Sequence, residues 1–164
     1  MDRRPPGDAA TVVTLFFYGT LMRGQANHDR HCRGALRVQE ATLRGELYDL
    51  PFGFPALVVP EEDIYATGSA DPIHDASEQQ RLNDSGVHRS EGPRVYGELF
   101  TFDDPEARLP ALDRLEGFHP DGGPNLYRRV LVPVESAERA LVAAWVYAIE
   151  KPSGVFLPGG RWPS

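Results

Sequence analysis

Apolar residues along this chain fall into short runs divided by turn-forming and acidic residues. Val12-Val13-Thr14-Leu15-Phe16-Phe17-Tyr18 is β-branched and aromatic and is cut off by Gly19, which predicts a buried central strand. The polar stretch Met22 to His31 predicts a loop entering a short helix. Ala41 to Asp49 reads as a second strand, Leu50 to Pro55 as a turn-rich connector, and Ala56 to Val59 as a short strand stopped by Pro60. Residues 69–93 change character: polar residues dominate, and the large aliphatics are Ile73, Leu82 and Val87, which predicts a long surface insertion, mobile or loosely helical. Strand pattern returns over Arg94 to Phe102. Asp103-Asp104-Pro105-Glu106 is a helix start, an Asp cap followed by Pro at the first helical position, and the helix should run to about Glu116 with Gly117 as its stop. Tyr127 to Val134 is a further strand. Leu141 to Ile149 lacks polar residues on both faces, so both should be covered. Gly154 to Ser164 reads as Pro/Gly-rich coil.

These elements amount to about six strands and two or three short helices without regular alternation, which argues against a doubly wound parallel sheet. A closed or nearly closed small β-barrel with helices packed outside fits better. The 164 residues are enough for one core, and 16 Gly and 15 Pro suit many short elements joined by turns. We expect a disordered leader at 1–10 and a single domain over 11–164 with a surface insertion at about 61–93.

The net charge of -7, with Lys nearly absent and no basic run, argues against nucleic acid and other anionic polymers as partners. The apolar run Val12 to Phe17 is too short for a signal segment or a membrane span, so no membrane partner and a cytoplasmic location are expected. Cys32 is the single cysteine, which excludes an internal disulfide and a CxxC pair.

Two places carry candidate chemistry. Positions 109, 112 and 116 share one helical face, so Glu116 falls at the edge of a stripe formed by Leu109, Leu112 and Leu115, where a purely structural sequence would place Leu or Ala. Desolvation, and to a lesser degree the helix C-terminal dipole, would raise its pKa towards the range a general acid/base needs. A solvent-facing Glu at a frayed helix end satisfies the same spacing. Tyr18-Gly19-Thr20-Leu21 ends the first strand in a glycine turn whose successive backbone N–H groups can form an anion nest, or an ordinary strand-to-loop turn. His28, His31 and Cys32 resemble a metal cluster in composition, but no second ligand pair has comparable spacing. Nothing flanking Cys32 suggests an activated thiolate. Trp145 and Tyr147 read as core residues, with the tyrosine hydroxyl able to reach a ligand at a barrel mouth.

In combination these segments resemble a known family. Phe17-Tyr18-Gly19-Thr20-Leu21-Met22-Arg23-Gly24 with Asn27-His28 is similar to the N-terminal signature of the γ-glutamylcyclotransferase-like family, and is closest to its γ-glutamylamine cyclotransferase branch. Gly45 to Asp49 with Phe54 to Val58, then Val95 to Phe100, then Leu112 to Phe118 followed by Tyr127-Arg128-Arg129, match in the same order and cover most of residues 12–150. The chain is longer than the family's compact pattern at 61–93. The resemblance implies an α+β fold: a small mixed β-barrel with short flanking helices. It also implies a reaction in which the α-amine of a γ-glutamyl group attacks its own γ-carbonyl, giving 5-oxoproline and a free amine or amino acid. Carried over position by position, Glu116 would be the acid/base, Tyr18, Gly19, Thr20 and Leu21 would hold the glutamyl α-carboxylate through backbone N–H groups, and Tyr127 would line the pocket. The nucleophile belongs to the substrate, so neither a metal nor a cofactor is implied. A non-catalytic carboxylate-binding module on the same fold and a γ-glutamyl amide hydrolase are the competing functions.

Overall fold

The run that begins after residue 12 forms strand β1 (Val13–Phe17), buried at every position except Thr14. The structure, a computed structural model, describes residues 11–51 and 53–163, so the leader expected at 1–10 lies outside the described residues. After β1 come α1 (His28–His31), β2 (Arg37–Arg44), β3 (Glu46–Asp49), β4 (Pro55–Val58), β5 (Ala66–Thr67), α2 (Pro72–Ser85), β6 (Arg94–Phe102), α3 (Pro105–Glu116), β7 (Arg128–Ser136), β8 (Leu141–Ala148) and β9 (Val155–Phe156).

Strands run in the order β2-β6-β1-β8-β7, and pairing of β7 back onto β2 closes them into a barrel, with β5 added beside β7. β1 and β8 pair in parallel and the remaining neighbours are antiparallel, so the barrel is mixed, as the resemblance implied. A small second sheet has the order β4-β3-β9.

Alternate side chains of the barrel strands divide between two buried clusters. Phe16, Leu43, Val130, Val132, Val134 and Val146 belong to one without helical residues, which fills the barrel. Leu15, Phe17, Leu131 and Trp145 belong to the other, together with Leu82 of α2 and Leu109 and Leu112 of α3. Both faces of β8 are therefore covered, as its unbroken apolar sequence requires.

The single strand expected over 41–49 is instead two strands meeting at Gly45. A Cβ there would lie 2.7 Å from the Val58 carbonyl oxygen. The glycine lets β2 stay in the barrel while β3 turns onto β4. The tail is also more ordered than its composition suggests: β9 pairs with β3, and the Leu157 N–H donates to the Leu47 carbonyl at 2.8 Å.

The polar segment after residue 69 is an ordered helix over Pro72–Ser85. Asp71 caps it by accepting from the His74 N–H at 3.1 Å. Its anchor is polar, which is why a count of aliphatics undervalues it. Gln79 is 3% exposed; its side chain accepts from the Thr14 N–H at 2.9 Å and donates to the Thr14 and Ala143 carbonyls at 2.7 and 2.9 Å. Asn83 accepts from the Ala143 N–H at 2.8 Å. These two side chains satisfy backbone groups of β1 and β8 near their short parallel contact.

Close packing around β1 leads to a first prediction. A Cβ on Gly97 in β6 would lie 2.3 Å from the Phe17 carbonyl oxygen and 2.7 Å from the Phe16 ring, and the carbonyl cannot retreat without breaking the sheet. Gly97→Ala should destabilise the fold by about 2–3 kcal/mol, read as a fall in the urea midpoint with unchanged slope.

Candidate active site

α3 begins at Pro105, but Asp104 does not cap it through its side chain; its carboxylate pairs with Arg108 at 3.2 Å instead. Leu109, Leu112 and Asp113 form the buried face. At about 3.6 residues per turn, Glu116 continues that face while Leu115 trails to its edge. Leu115 is accordingly 37% exposed rather than part of the stripe. Gly117 closes the helix in the left-handed region (φ 68°), and the Phe118 N–H returns to the Asp113 carbonyl at 2.9 Å. This sharp stop fixes Glu116 as the last helical residue.

Glu116 opens into a cleft of about 200 Å³ that is also lined by Tyr18, Gly19, Thr20, Leu21 and Tyr127. All six residues singled out in the sequence thus come together in one place. Among the described residues, no hydrogen-bond donor or cation meets the Glu116 carboxylate. Burial alone pushes it up from 4.5 to about 7. Its charge is felt by the surrounding phenols. Tyr127 is pushed above its ordinary value by burial and then by Glu116, and Tyr18 and Tyr147 are raised chiefly by burial, with Glu116 contributing to both.

Opposite lies the loop after β1. It is braced from behind: the Met22 N–H donates to the Gly19 carbonyl (3.1 Å) and the Asn27 N–H to the Thr20 carbonyl (2.8 Å). The Asn27 side chain donates to the Thr20 hydroxyl at 2.8 Å. Arg23 is locked to Glu98 through its backbone N–H and its Nε, both at 2.8 Å. The N–H groups of Gly19, Thr20 and Leu21 donate to no described protein acceptor. A Cβ on Gly19 would lie 2.7 Å from Cγ of Pro55, so only glycine lets the loop sit against β4.

The tyrosines are structural struts of this cleft. Tyr127 donates to the Pro55 carbonyl at 2.7 Å, and Tyr18 donates to the Tyr147 carbonyl at 2.5 Å. The Tyr18 hydroxyl is therefore engaged, and its ring is what lines the cleft. Tyr147 lines it too, while its hydroxyl donates to Asp113 Oδ1 at 2.7 Å.

Asp113 was not singled out from the sequence. With Asp75 of α2 it flanks the fully buried Arg129 of β7. Arg129 contacts Asp113 Oδ1 at 2.7 Å and Oδ2 at 3.0 Å, and Asp75 Oδ2 at 3.0 Å. The signals were an acid beside Leu112 on the apolar face and an Arg inside the strand beginning at Tyr127. Cys32 is buried, its thiol pushed up to about 12 by burial, and its Sγ meets the Leu21 carbonyl at 3.4 Å, so it stays a thiol at neutral pH. Among the described residues no group of three or more His, Cys, Asp or Glu is arranged to hold a metal ion, and no helix is long and apolar enough to cross a membrane.

A protein of Halalkalibacterium halodurans named "Putative gamma-glutamylcyclotransferase BH1612" is 28% identical over 144 residues, spanning 86% of this chain and 90% of that one. The crystal structure of YkqA from Bacillus subtilis shares the fold with a TM-score of 0.56 and 23% identity over 92% of this chain; the chain spans 39% of YkqA's own length. A mouse AIG2-like protein shares the fold with a TM-score of 0.53 and 24% identity, over 87% of this chain and 80% of that one. The model of the family described as gamma-glutamyl cyclotransferase, AIG2-like, matches residues 15–85 and 78–164, which together take in every barrel strand except the start of β1. Built on this barrel, and with a cyclotransferase-like activity at the level of the family, the chain belongs to the gamma-glutamyl cyclotransferase, AIG2-like family.

Proposed function

We propose that this protein is a cyclising acyltransferase that converts a γ-glutamyl amide into 5-oxoproline and a free amine, with Glu116 as general acid/base. The observation that carries this reading is the Glu116 carboxylate, pushed up to about 7 and without a partner among the described residues, in the same cleft as the N–H groups of Gly19, Thr20 and Leu21, which donate to no described protein acceptor.

The loop holds the glutamyl α-carboxylate, because converging N–H groups favour an anion. The adjacent α-ammonium gives one proton to Glu116 and becomes the nucleophile. Its nitrogen bonds to the γ-carbonyl carbon and closes the five-membered ring. As the tetrahedral intermediate collapses, Glu116 returns its proton to the departing nitrogen and the bond from that carbon to this nitrogen breaks. The freed carboxylate then takes the second proton of the ring nitrogen and passes it to the amine, which leaves as an ammonium beside 5-oxoproline with its neutral lactam nitrogen. A group with pKa near 7 suits each of these transfers. Because ring closure is intramolecular, much of the rate comes from holding the substrate folded.

Incubation with γ-glutamyl amides should yield 5-oxoproline by mass spectrometry. Free glutamate in its place would favour a hydrolase, and binding without product across the series would favour a carboxylate-binding module. Gly19→Ala should lower kcat/KM roughly tenfold to a hundredfold, mainly through KM, because moving the loop off Pro55 loosens charge-assisted bonds worth about 1.5–3 kcal/mol.

A further inference from the structure

The part of the cleft that would receive the leaving amine has a definite chemistry. Of the described residues lining the cleft, Glu116 is the one acid, and none is Lys, Arg or His. Three large apolar side chains stand at its edge and remain exposed: Phe54 (41%), Leu115 (37%) and Leu126 (54%). They are held by the two halves of the site. Leu115 precedes Glu116 on α3. The Leu126 N–H donates to the Gly117 carbonyl at 3.0 Å, and its Cβ lies 3.1 Å from where a Cβ on Gly117 would stand, so Leu126 is fixed over the end of the same helix. Phe54 adjoins Pro55, which abuts Gly19.

Resting on the cyclisation reading above, we infer that the substrates are γ-glutamyl amides of neutral apolar amines, alkyl or aryl, whose hydrocarbon part is received by Phe54, Leu115 and Leu126. With the α-carboxylate on the loop and the α-ammonium at Glu116, the group on the γ-nitrogen extends towards this rim. A leaving amine bearing a carboxylate, as in a γ-glutamyl amino acid, finds no cation among the described residues there and faces the Glu116 carboxyl, in a protein whose net charge is -7. A hydrocarbon chain instead covers exposed apolar surface, and each fully buried methylene favours binding roughly fourfold.

The test compares kcat/KM for γ-glutamyl-ethylamide, γ-glutamyl-n-butylamide, the mono-γ-glutamyl amide of 1,4-diaminobutane, and γ-glutamyl-4-aminobutyrate, with 5-oxoproline as the readout. The butylamide should exceed the ethylamide about tenfold and exceed both charged analogues by at least tenfold. Leu126→Lys, at an exposed position that should not disturb folding, should lower turnover of the butylamide and raise that of the aminobutyrate conjugate. Equal turnover of all four, or a preference for either charged amide, overturns the apolar-amine assignment while leaving cyclisation intact. Absence of 5-oxoproline from all four overturns cyclisation and this inference together.

Discussion

Replacing Glu116 by Gln should leave the barrel folded and reduce 5-oxoproline formation by roughly 10²- to 10⁴-fold, the usual worth of a positioned proton-transfer group. Gln keeps the side chain's shape but can neither accept the ammonium proton nor return one to the leaving amine. Near wild-type turnover by this variant would remove Glu116 from the mechanism. The proposed mechanism needs the base form, so wild-type kcat/KM should fall as pH drops through about 7, the value to which burial pushes the Glu116 carboxyl. The residual activity of the Gln variant should lack that limb. Stability should move in the opposite sense. With the folded carboxyl at about 7 against an ordinary 4.5, the folded state holds a proton that the unfolded chain has lost anywhere between those values. Wild-type stability therefore declines as pH rises through that window and levels off above it. Glu116→Gln escapes this loss and should be more stable than wild type at pH 8 by about 1–3 kcal/mol, with little difference near pH 5. A variant less active yet more stable at alkaline pH is what a functional carboxylate held without a partner should produce. A Glu that was merely buried would show the gain in stability without the loss of activity.

The sequence exposed this site because two conflicts between local pattern and global need lie on the chain itself. Glu116 continues the face of Leu109 and Leu112, and Gly19 cuts off the apolar and aromatic run that forms β1. The barrel was legible for a similar reason: β7 and β8 carry their burial in runs of apolar residues. Interactions made by polar atoms across long separations left no such trace. Gln79 reads as a surface residue until it is seen bonding backbone groups of β1 and β8, and α2 depends on it as much as on Leu82. Gly45 reads as a strand residue until the Val58 carbonyl is found where its Cβ would stand. Leu115 and Leu126 resemble ordinary core candidates, yet remain exposed at the rim of the cleft: the helix turns Leu115 aside from the packed face, and Leu126 is held in the loop beyond the helix end.

The second large effect is expected at Arg129, whose side chain is fully buried between Asp113 of α3 and Asp75 of α2. Burial alone would favour loss of its proton, but the hydrogen bonds from Arg129 to both aspartates, with the charges of Tyr147 and Asp113, outweigh that and hold the guanidinium charged. Space for it comes from Gly68, where a Cβ would lie 2.6 Å from Arg129 Cζ, and the Trp145 ring lies 4.9 Å from that carbon. Asp75 also accepts from the Ser69 backbone N–H (2.9 Å) and hydroxyl (2.8 Å), so one cation ties the start of α2 to α3. Arg129→Met keeps much of the bulk and leaves two carboxylates buried without their cation, which should cost about 3–5 kcal/mol. At this chain length that corresponds to a melting temperature lower by roughly 10 °C or more. Arg129→Lys should recover only part of the loss, since an ammonium cannot span both oxygens of Asp113 while also reaching Asp75. The damage should extend to the cleft, because Asp113 Oδ1 receives both Arg129 and the Tyr147 hydroxyl, and the Tyr147 carbonyl in turn receives Tyr18 at the head of the loop that follows β1. A folded Arg129→Lys protein should therefore show a raised KM for its γ-glutamyl amide, whereas a network serving stability alone would leave KM at the wild-type value.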